Sequence, residues 1–195
     1  MTSRLLPFFL SVLVAGELRA QSAQAISVQV SGLYNGVYGE IFDEVKSGYG
    51  AEGQIRYTPG ALSIGAGFQY TTHEIATRPE DIRFYGGFLE PRYRIHTGSN
   101  VVAPYISARF SLLKVGFSGG DLELNSSFIQ VNGGGGLLYR VGPRVNLDLG
   151  ATFGYNRLGS GTLRSESNKF APLFNDPSSG ANLIVRFGFA FGLGG

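Results

Sequence analysis

VNLDLGATFGYN, residues 145–156, places Val145, Leu147, Leu149, Ala151, Phe153 and Tyr155 at odd positions and Asn146, Asp148, Thr152 and Asn156 at even ones. A period of two belongs to an extended strand with one apolar and one polar face, whereas a helix repeats about every 3.6 residues. The same period recurs along the chain. It marks strands at 26–38, 49–57, 62–71, 82–96, 101–115, 127–140, 145–156 and 180–193, eight in all. In 82–96 the alternation is imperfect, because Phe84 and Phe88 fall on the otherwise polar face that carries Glu90, Arg92 and Arg94.

The connections between these strands alternate in length. Thr58-Pro59-Gly60-Ala61, Thr97-Gly98-Ser99-Asn100 and Val141-Gly142-Pro143-Arg144 are four-residue turns, while the segments 40–48, 72–81, 116–126 and 157–179 are long. An even number of meandering antiparallel strands, with short turns at one end and long loops at the other, predicts an all-β, eight-stranded antiparallel up-and-down transmembrane β-barrel. Pro91 and Pro104 each remove a ladder donor, which predicts a bulge or an early end to pairing near the short-turn end.

Alternation does not say which face is inside, since a soluble ligand-binding barrel has the same period with its apolar face inward. The tyrosines decide it. Tyr57, Tyr93 and Tyr139 sit on the apolar face beside short turns, and Tyr38, Tyr49, Tyr70, Tyr85 and Tyr155 beside long loops. Two aromatic girdles result, as lipid interfaces favour. The polar face mixes small residues with charge, and its candidate lumen network comprises Glu52, Arg56, Glu90, Arg92, Arg94, Arg109, Asp148 and Arg186. Arg109 is the expected cross-strand partner of Glu90. An eight-stranded barrel is just wide enough for side chains to fill it, so these charges are expected to pair and plug the interior.

Composition supports this reading and removes others. The 195 residues include 30 Gly, no Cys and no Trp, with a formal net charge of +2. Balanced charge leaves no footprint for nucleic acid, and the lack of Cys excludes disulfide frameworks, thiolate metal sites and thiol nucleophiles. Arginine outnumbers lysine 13 to 3, unlike an ordinary soluble surface. At the N-terminus, Arg4 precedes the apolar run 5–16, and Ala23-Gln24-Ala25 offers small residues for signal-peptidase cleavage after Ala25. Twelve apolar residues fall short of the roughly 20 that a helix needs to cross a bilayer. Residues 1–25 are therefore expected to be a cleaved signal peptide, and 26–195 the barrel domain.

The segment Phe88-Leu89-Glu90-Pro91-Arg92-Tyr93-Arg94, the architecture, and the alternating Phe187, Phe189 and Phe191 near the end resemble the small eight-stranded outer-membrane barrels of the OmpA, OmpX and opacity types. The resemblance implies residence in a bacterial outer membrane, contact with its lipid and lipopolysaccharide, handling by the barrel-assembly machinery, and no cofactor. It spans 26–195, and no peptidoglycan-binding domain follows the barrel in this sequence. The final Leu193-Gly194-Gly195 departs from the aromatic ending that this family commonly presents for assembly.

Function is then read from lumen and loops. An envelope-structural or surface-interaction role through the external loops is expected, from a monomer with an external ligand on those loops. Five lumen arginines against three acids leave +2, so a narrow, slightly anion-preferring channel is the alternative. A lipid A-modifying enzyme is the second alternative, but the chain has only two histidines. His73 beside Glu74 is expected as a solvated rim histidine with loop serines Ser165, Ser167, Ser178 and Ser179 in its neighbourhood, and His96 precedes Ser99 in a short turn. Neither matches the His-x-Ser-Asn pattern of a lipid A deacylase, and no nucleophile elbow, phosphate loop or metal cluster appears. The run Gly133–Gly136 is read as close strand packing. No catalytic, cofactor or metal site is assigned.

Overall fold

The computed structural model describes residues 25–77, 81–118, 122–158, 162–165, 171–172 and 179–193. Apart from Ala25, the expected signal peptide lies outside them, as do Gly194-Gly195 and much of the 157–179 loop. Strands β1 (Ile26–Tyr38), β2 (Gly48–Tyr57), β3 (Leu62–Glu74), β4 (Asp81–Arg94), β5 (Val102–Ser118), β6 (Leu122–Arg140) and β7 (Val145–Leu158) follow one another. Two short strands, β8 (Thr162–Ser165) and β9 (Ala171–Pro172), precede β10 (Ser179–Leu193). Neighbours pair antiparallel from β1 to β7, β7 pairs with β10, and β10 pairs with β1 from Ile26↔Leu193 to Tyr38↔Ala181. The sheet thus closes into an eight-stranded barrel, which leaves no open edge in its wall.

Several strands run further at the long-loop end than their apolar faces suggest. β3 extends to Glu74, and β5 and β6 to Ser118 and Leu122, because the hairpin ladder continues where the apolar–polar alternation stops. β8 pairs with the outer end of β6, so the long segment between β7 and β10 contributes strand of its own, contrary to the expected plain loop. Pro91 also departs from expectation. Pairing of β4 with β5 lapses between Leu89↔Phe110 and Arg92↔Ser107, yet the register is the same on both sides, and Pro104 pairs in register with Leu137. The missing donor costs a local gap without a bulge, since β3 continues to hold Pro91 through Ile64 on the other side.

The apolar face points outward. Leu149, Phe153, Phe187 and Phe189 are exposed, while Gln29, Gln69, Glu90, Arg109 and Asp148 are buried inside. This is the reverse of a soluble ligand-binding barrel. Seven of the eight girdle tyrosines, Tyr38, Tyr49, Tyr57, Tyr70, Tyr93, Tyr139 and Tyr155, are exposed on the outer face. Tyr85 is half-buried on the outward parity of β4, between inward-facing Phe84 and the next rung. Phe84 and Phe88, which disturb the pattern of β4, both turn into the barrel.

Candidate functional site: the filled lumen

The lower and middle lumen holds a charge network built by the two-residue step. Glu90 and Arg92 are successive inward positions on β4, and Gln54 and Arg56 are successive inward positions on β2. The Glu90 carboxylate accepts two parallel bonds from Arg186, Nη1 to Oε2 at 2.6 Å and Nη2 to Oε1 at 2.7 Å, and a third from Arg92 Nε at 2.6 Å. Arg109 and Arg56 stand further off, at 3.6 and 3.7 Å. The main partner of Glu90 is therefore Arg186 from across the lumen, and Arg109 instead pairs with Glu52 at 2.6 Å. Arg109 reaches across the lumen to Glu52 on β2 and leaves Glu90 on the neighbouring strand to Arg186 and Arg92.

Asp148 is the second hub. Its Oδ2 accepts from Arg92 Nη1 at 2.7 Å and Gln29 Nε2 at 2.6 Å, and its Oδ1 accepts from the Tyr105 hydroxyl at 2.6 Å. Fork-shaped arginine donors matched to carboxylates in this way are among the stronger charge-assisted hydrogen bonds. Arg56 donates to Gln54 Oε1 at 2.8 Å, Ser63 Oγ at 3.1 Å and the Glu90 carbonyl at 3.2 Å. Arg109 donates to Gln69 Oε1 at 2.6 Å, and its guanidinium lies over the Phe88 ring, 3.6 Å from the centroid. Seven of the eight expected lumen residues thus meet in one buried cluster. Arg94 is half-buried at the short-turn rim, where it donates to the Gly60 carbonyl at 2.5 Å.

Tyr105 is a member that sequence reading missed. The Arg92 guanidinium lies 4.4 Å from its ring centroid, and Arg186 Nη2 donates to its hydroxyl at 3.2 Å. The register shows how it fits. Tyr105, Gly136, Gly150 and Arg186 form one rung across β5, β6, β7 and β10. A Cβ at Gly136 would meet the Tyr105 ring at 2.6 Å, and one at Gly150 would meet the Tyr105 hydroxyl at 2.5 Å and Arg186 Nε at 2.6 Å. The two glycines leave the floor over which the phenol reaches Asp148. Close packing at Gly133–Gly136 is therefore real for Gly134, Gly135 and Gly136, at each of which a Cβ would run into a neighbouring strand's backbone oxygen, whereas nothing lies near a Cβ at Gly133.

Above the charges comes a neutral polar layer, in which Asn132 Nδ2 donates to Asn182 Oδ1 at 3.2 Å. His73 closes that layer. It is 1% exposed, so the expected solvated rim histidine is corrected: its parity on β3 turns it inward. Its Nδ1 lies 3.0 Å from the Lys46 carbonyl, and its Nε2 lies 3.1 Å from Thr71 Oγ1 and 3.5 Å from Asn35 Nδ2. Its ring packs at a tilt of 46° against Phe84, with centroids 4.6 Å apart.

An apolar plug fills the outer end. Val37, Phe42, Ile82, Phe84, Leu113, Val115 and Phe128 pack together there, with Val45 and Ile75 partly covering them. Phe42 comes from the short 3-10 turn Glu40–Phe42, which folds the first long loop back over the mouth. That loop is held down by the Val45↔Ile75 bridge, by Lys46 N–H to the Glu74 carbonyl at 2.9 Å, and by Ala76 N–H to the Glu44 carbonyl at 2.7 Å. Among the described residues, no group of three or more His, Asp or Glu side chains is arranged to hold a metal ion. The three lumen acids are taken up by arginines.

No family model and no curated protein matches the chain. Solved structures do. Neisserial surface protein A is similar over 87% of this chain and 97% of its own, with 22% identity and a TM-score of 0.64. The outer membrane protein OprG from Pseudomonas aeruginosa aligns over 92% of this chain and 100% of its own, with 9% identity and a TM-score of 0.54. Outer membrane protein W of E. coli aligns over 90% and 100%, with 11% identity and a TM-score of 0.51. The fold is that of the small eight-stranded outer-membrane barrels.

Proposed function

We propose that the chain is an integral barrel of a bacterial outer membrane, exported by a signal peptide over residues 1–25. On this reading it serves an envelope-structural or surface-contacting role through its external loops. The observation that carries the reading is the pairing of an outward apolar belt between two tyrosine rings with a lumen occupied by buried polar and charged side chains below an apolar cluster at its outer end. Such a wall suits lipid, and such an interior leaves the loops as the surface open to partners. The name of Neisserial surface protein A fits a role at the cell surface. The expected monomer, lipopolysaccharide contact and handling by the assembly machinery belong to the same proposal. His73 supports a non-catalytic reading, because both ring nitrogens lie near polar groups of the barrel and its first loop; of the loop serines expected near it, Ser167 and Ser178 lie outside the described residues.

A second reading, a narrow anion-preferring conduit, is favoured by the charge balance: Arg56, Arg92, Arg109 and Arg186 are buried against only Glu52, Glu90 and Asp148. Refolding into planar bilayers separates the two. The structural reading expects heat-modifiable gel migration together with no steady conductance above bare bilayer. Reproducible anion-selective steps would establish the conduit, and recovery of the unboiled protein as a soluble periplasmic species would refute both.

A further inference from the structure

Three exposed bases stand on the outward face of the barrel at its long-loop end: Arg83 on β4, Lys114 on β5 and Arg157 on β7. Lys114 is the direct cross-strand partner of girdle residue Tyr85, and Arg83 lies one outward step above Tyr85 on the same strand. Arg157 likewise lies one outward step above girdle residue Tyr155. With a rise of about 3.3 Å per residue, that step carries Arg83 and Arg157 about 7 Å along their strands beyond the aromatic belt. Arg83 and Lys114 are diagonal neighbours, roughly 7 Å apart. Lys114 and Arg157 are bridged by β6, whose Ser127 pairs with Lys114 and whose Ile129 pairs with Arg157. The bases follow one arc of the rim over four adjacent strands.

None of the three forms an ion pair among the described residues, in contrast to Lys46, which pairs with Glu74 in the loops. Asp81, one outward step above Arg83, is an acid on the outward face of that arc, and Glu123 stands further along β6, in register with Arg164. Among the described residues of the first two long loops the balance is the opposite, with exposed Glu40, Asp43, Glu44 and Glu74 against Lys46. Unpaired bases just beyond an aromatic girdle, aimed sideways at the membrane, are placed at the depth of lipid headgroups.

We propose that Arg83, Lys114 and Arg157 form a docking surface for the phosphates of a phosphorylated glycolipid of the outer leaflet. Two or three bases within reach of one another suit a headgroup bearing more than one phosphate better than a single diffuse charge. The proposal rests on the outer-membrane reading above, so the test is run only on protein that shows heat-modifiable migration. Loss of that migration would count against the membrane reading, and the outcomes below count for or against the docking surface alone.

Refolded full-length mature protein is incubated in detergent with bisphosphorylated lipid A, dephosphorylated lipid A or phosphatidylglycerol, exchanged into lipid-free detergent, and retained lipid is measured by mass spectrometry. Wild type should retain bisphosphorylated lipid A over both others. A base near an anionic lipid surface contributes about fivefold, so the R83Q/K114Q/R157Q triple variant should lose at least about tenfold in retention. R144Q, which removes an exposed base at the opposite end of the barrel, should retain as wild type does. Equal retention by the triple variant, equal retention of the dephosphorylated lipid or of phosphatidylglycerol by wild type, or an equal loss in R144Q would each overturn the proposal.

Discussion

Replacing Glu90 with Gln removes one negative charge from the centre of the lumen without changing side-chain shape. Its carboxylate is fully buried, grips Arg186 through two bonds of 2.6 and 2.7 Å, and holds Arg92 at 2.6 Å. Arg109 and Arg56 feel it at 3.6 and 3.7 Å. In the variant, four buried arginines face only Glu52 and Asp148, and an amide NH2 replaces one of the acceptor oxygens. Removing one partner of a buried pair typically costs about 3–5 kcal/mol, because the remaining charge stays desolvated. With a urea slope of about 2 kcal/mol per molar, the midpoint of the refolded barrel should fall by roughly 1.5–2.5 M. Glu74→Gln is the control, since Glu74 is exposed and its pair with Lys46 at 3.1 Å is solvated. Its midpoint should coincide with that of wild type. Adding Arg186→Gln to Glu90→Gln should cost less than the two single changes together, because the second change removes a charge that the first has orphaned. If Glu90→Gln unfolds at the wild-type midpoint, or the two changes simply add, the lumen is hydrated and the pairing argument fails.

Other expectations test the remaining layers. Leu149 is exposed on the outer face, in a rung with Leu137 and Phe187, and Leu149→Arg should cost about 2–4 kcal/mol in bilayer refolding if that rung lies at the membrane midplane. Tolerance of that arginine would mean that the wall does not meet lipid. Gly150→Ala sets a methyl against the Tyr105 hydroxyl and Arg186, so it should lower stability by about 1–3 kcal/mol, while Gly53→Ala, with nothing near its Cβ, should not; similar midpoints for both would refute the glycine-floor argument. Phe42→Ala should loosen the outer plug and raise proton or small-ion leak in planar bilayers, most of all when combined with Glu90→Gln. An unchanged baseline in that double variant would show that neither layer seals the lumen.

The wall was legible because its information is local. In 145–156 every second side chain points out of the barrel, and a one-residue error would invert the whole face, so the period carries the strand and its two faces together. The girdle tyrosines were legible for the same reason, since each lies at the end of an apolar face. The outer ends of β5 and β6 were not, because beyond the belt neither face need be apolar and only backbone pairing marks the strand. Pro91 shows the limit of a rule about single residues. Its missing donor predicts disruption, but β3 on the other side keeps Ile64 opposite Pro91 and the register survives.

The lumen was legible as a composition and opaque as a set of pairs. Parity assigned Glu90, Arg92, Arg109, Asp148 and Arg186 to one interior, but the partner of each is decided by reach across the barrel, which depends on registers that no single strand contains. Tyr105 could have been placed by extending the parity of Ser107 and Arg109 one step back on β5. Its role could not, because that needs Gly136 and Gly150 on the same rung. Phe42 lies in a loop, where alternation says nothing, and it enters the barrel only because Val37, Phe84, Leu113 and Phe128 leave an apolar socket above His73. That socket divides the labour of closure. The charges below bind one another tightly but leave net positive charge, which water or an anion would otherwise be drawn to solvate. On the proposed structural reading, the apolar plug above them denies that access from the long-loop end, and the arginine excess and the hydrophobic cap act as two parts of one seal.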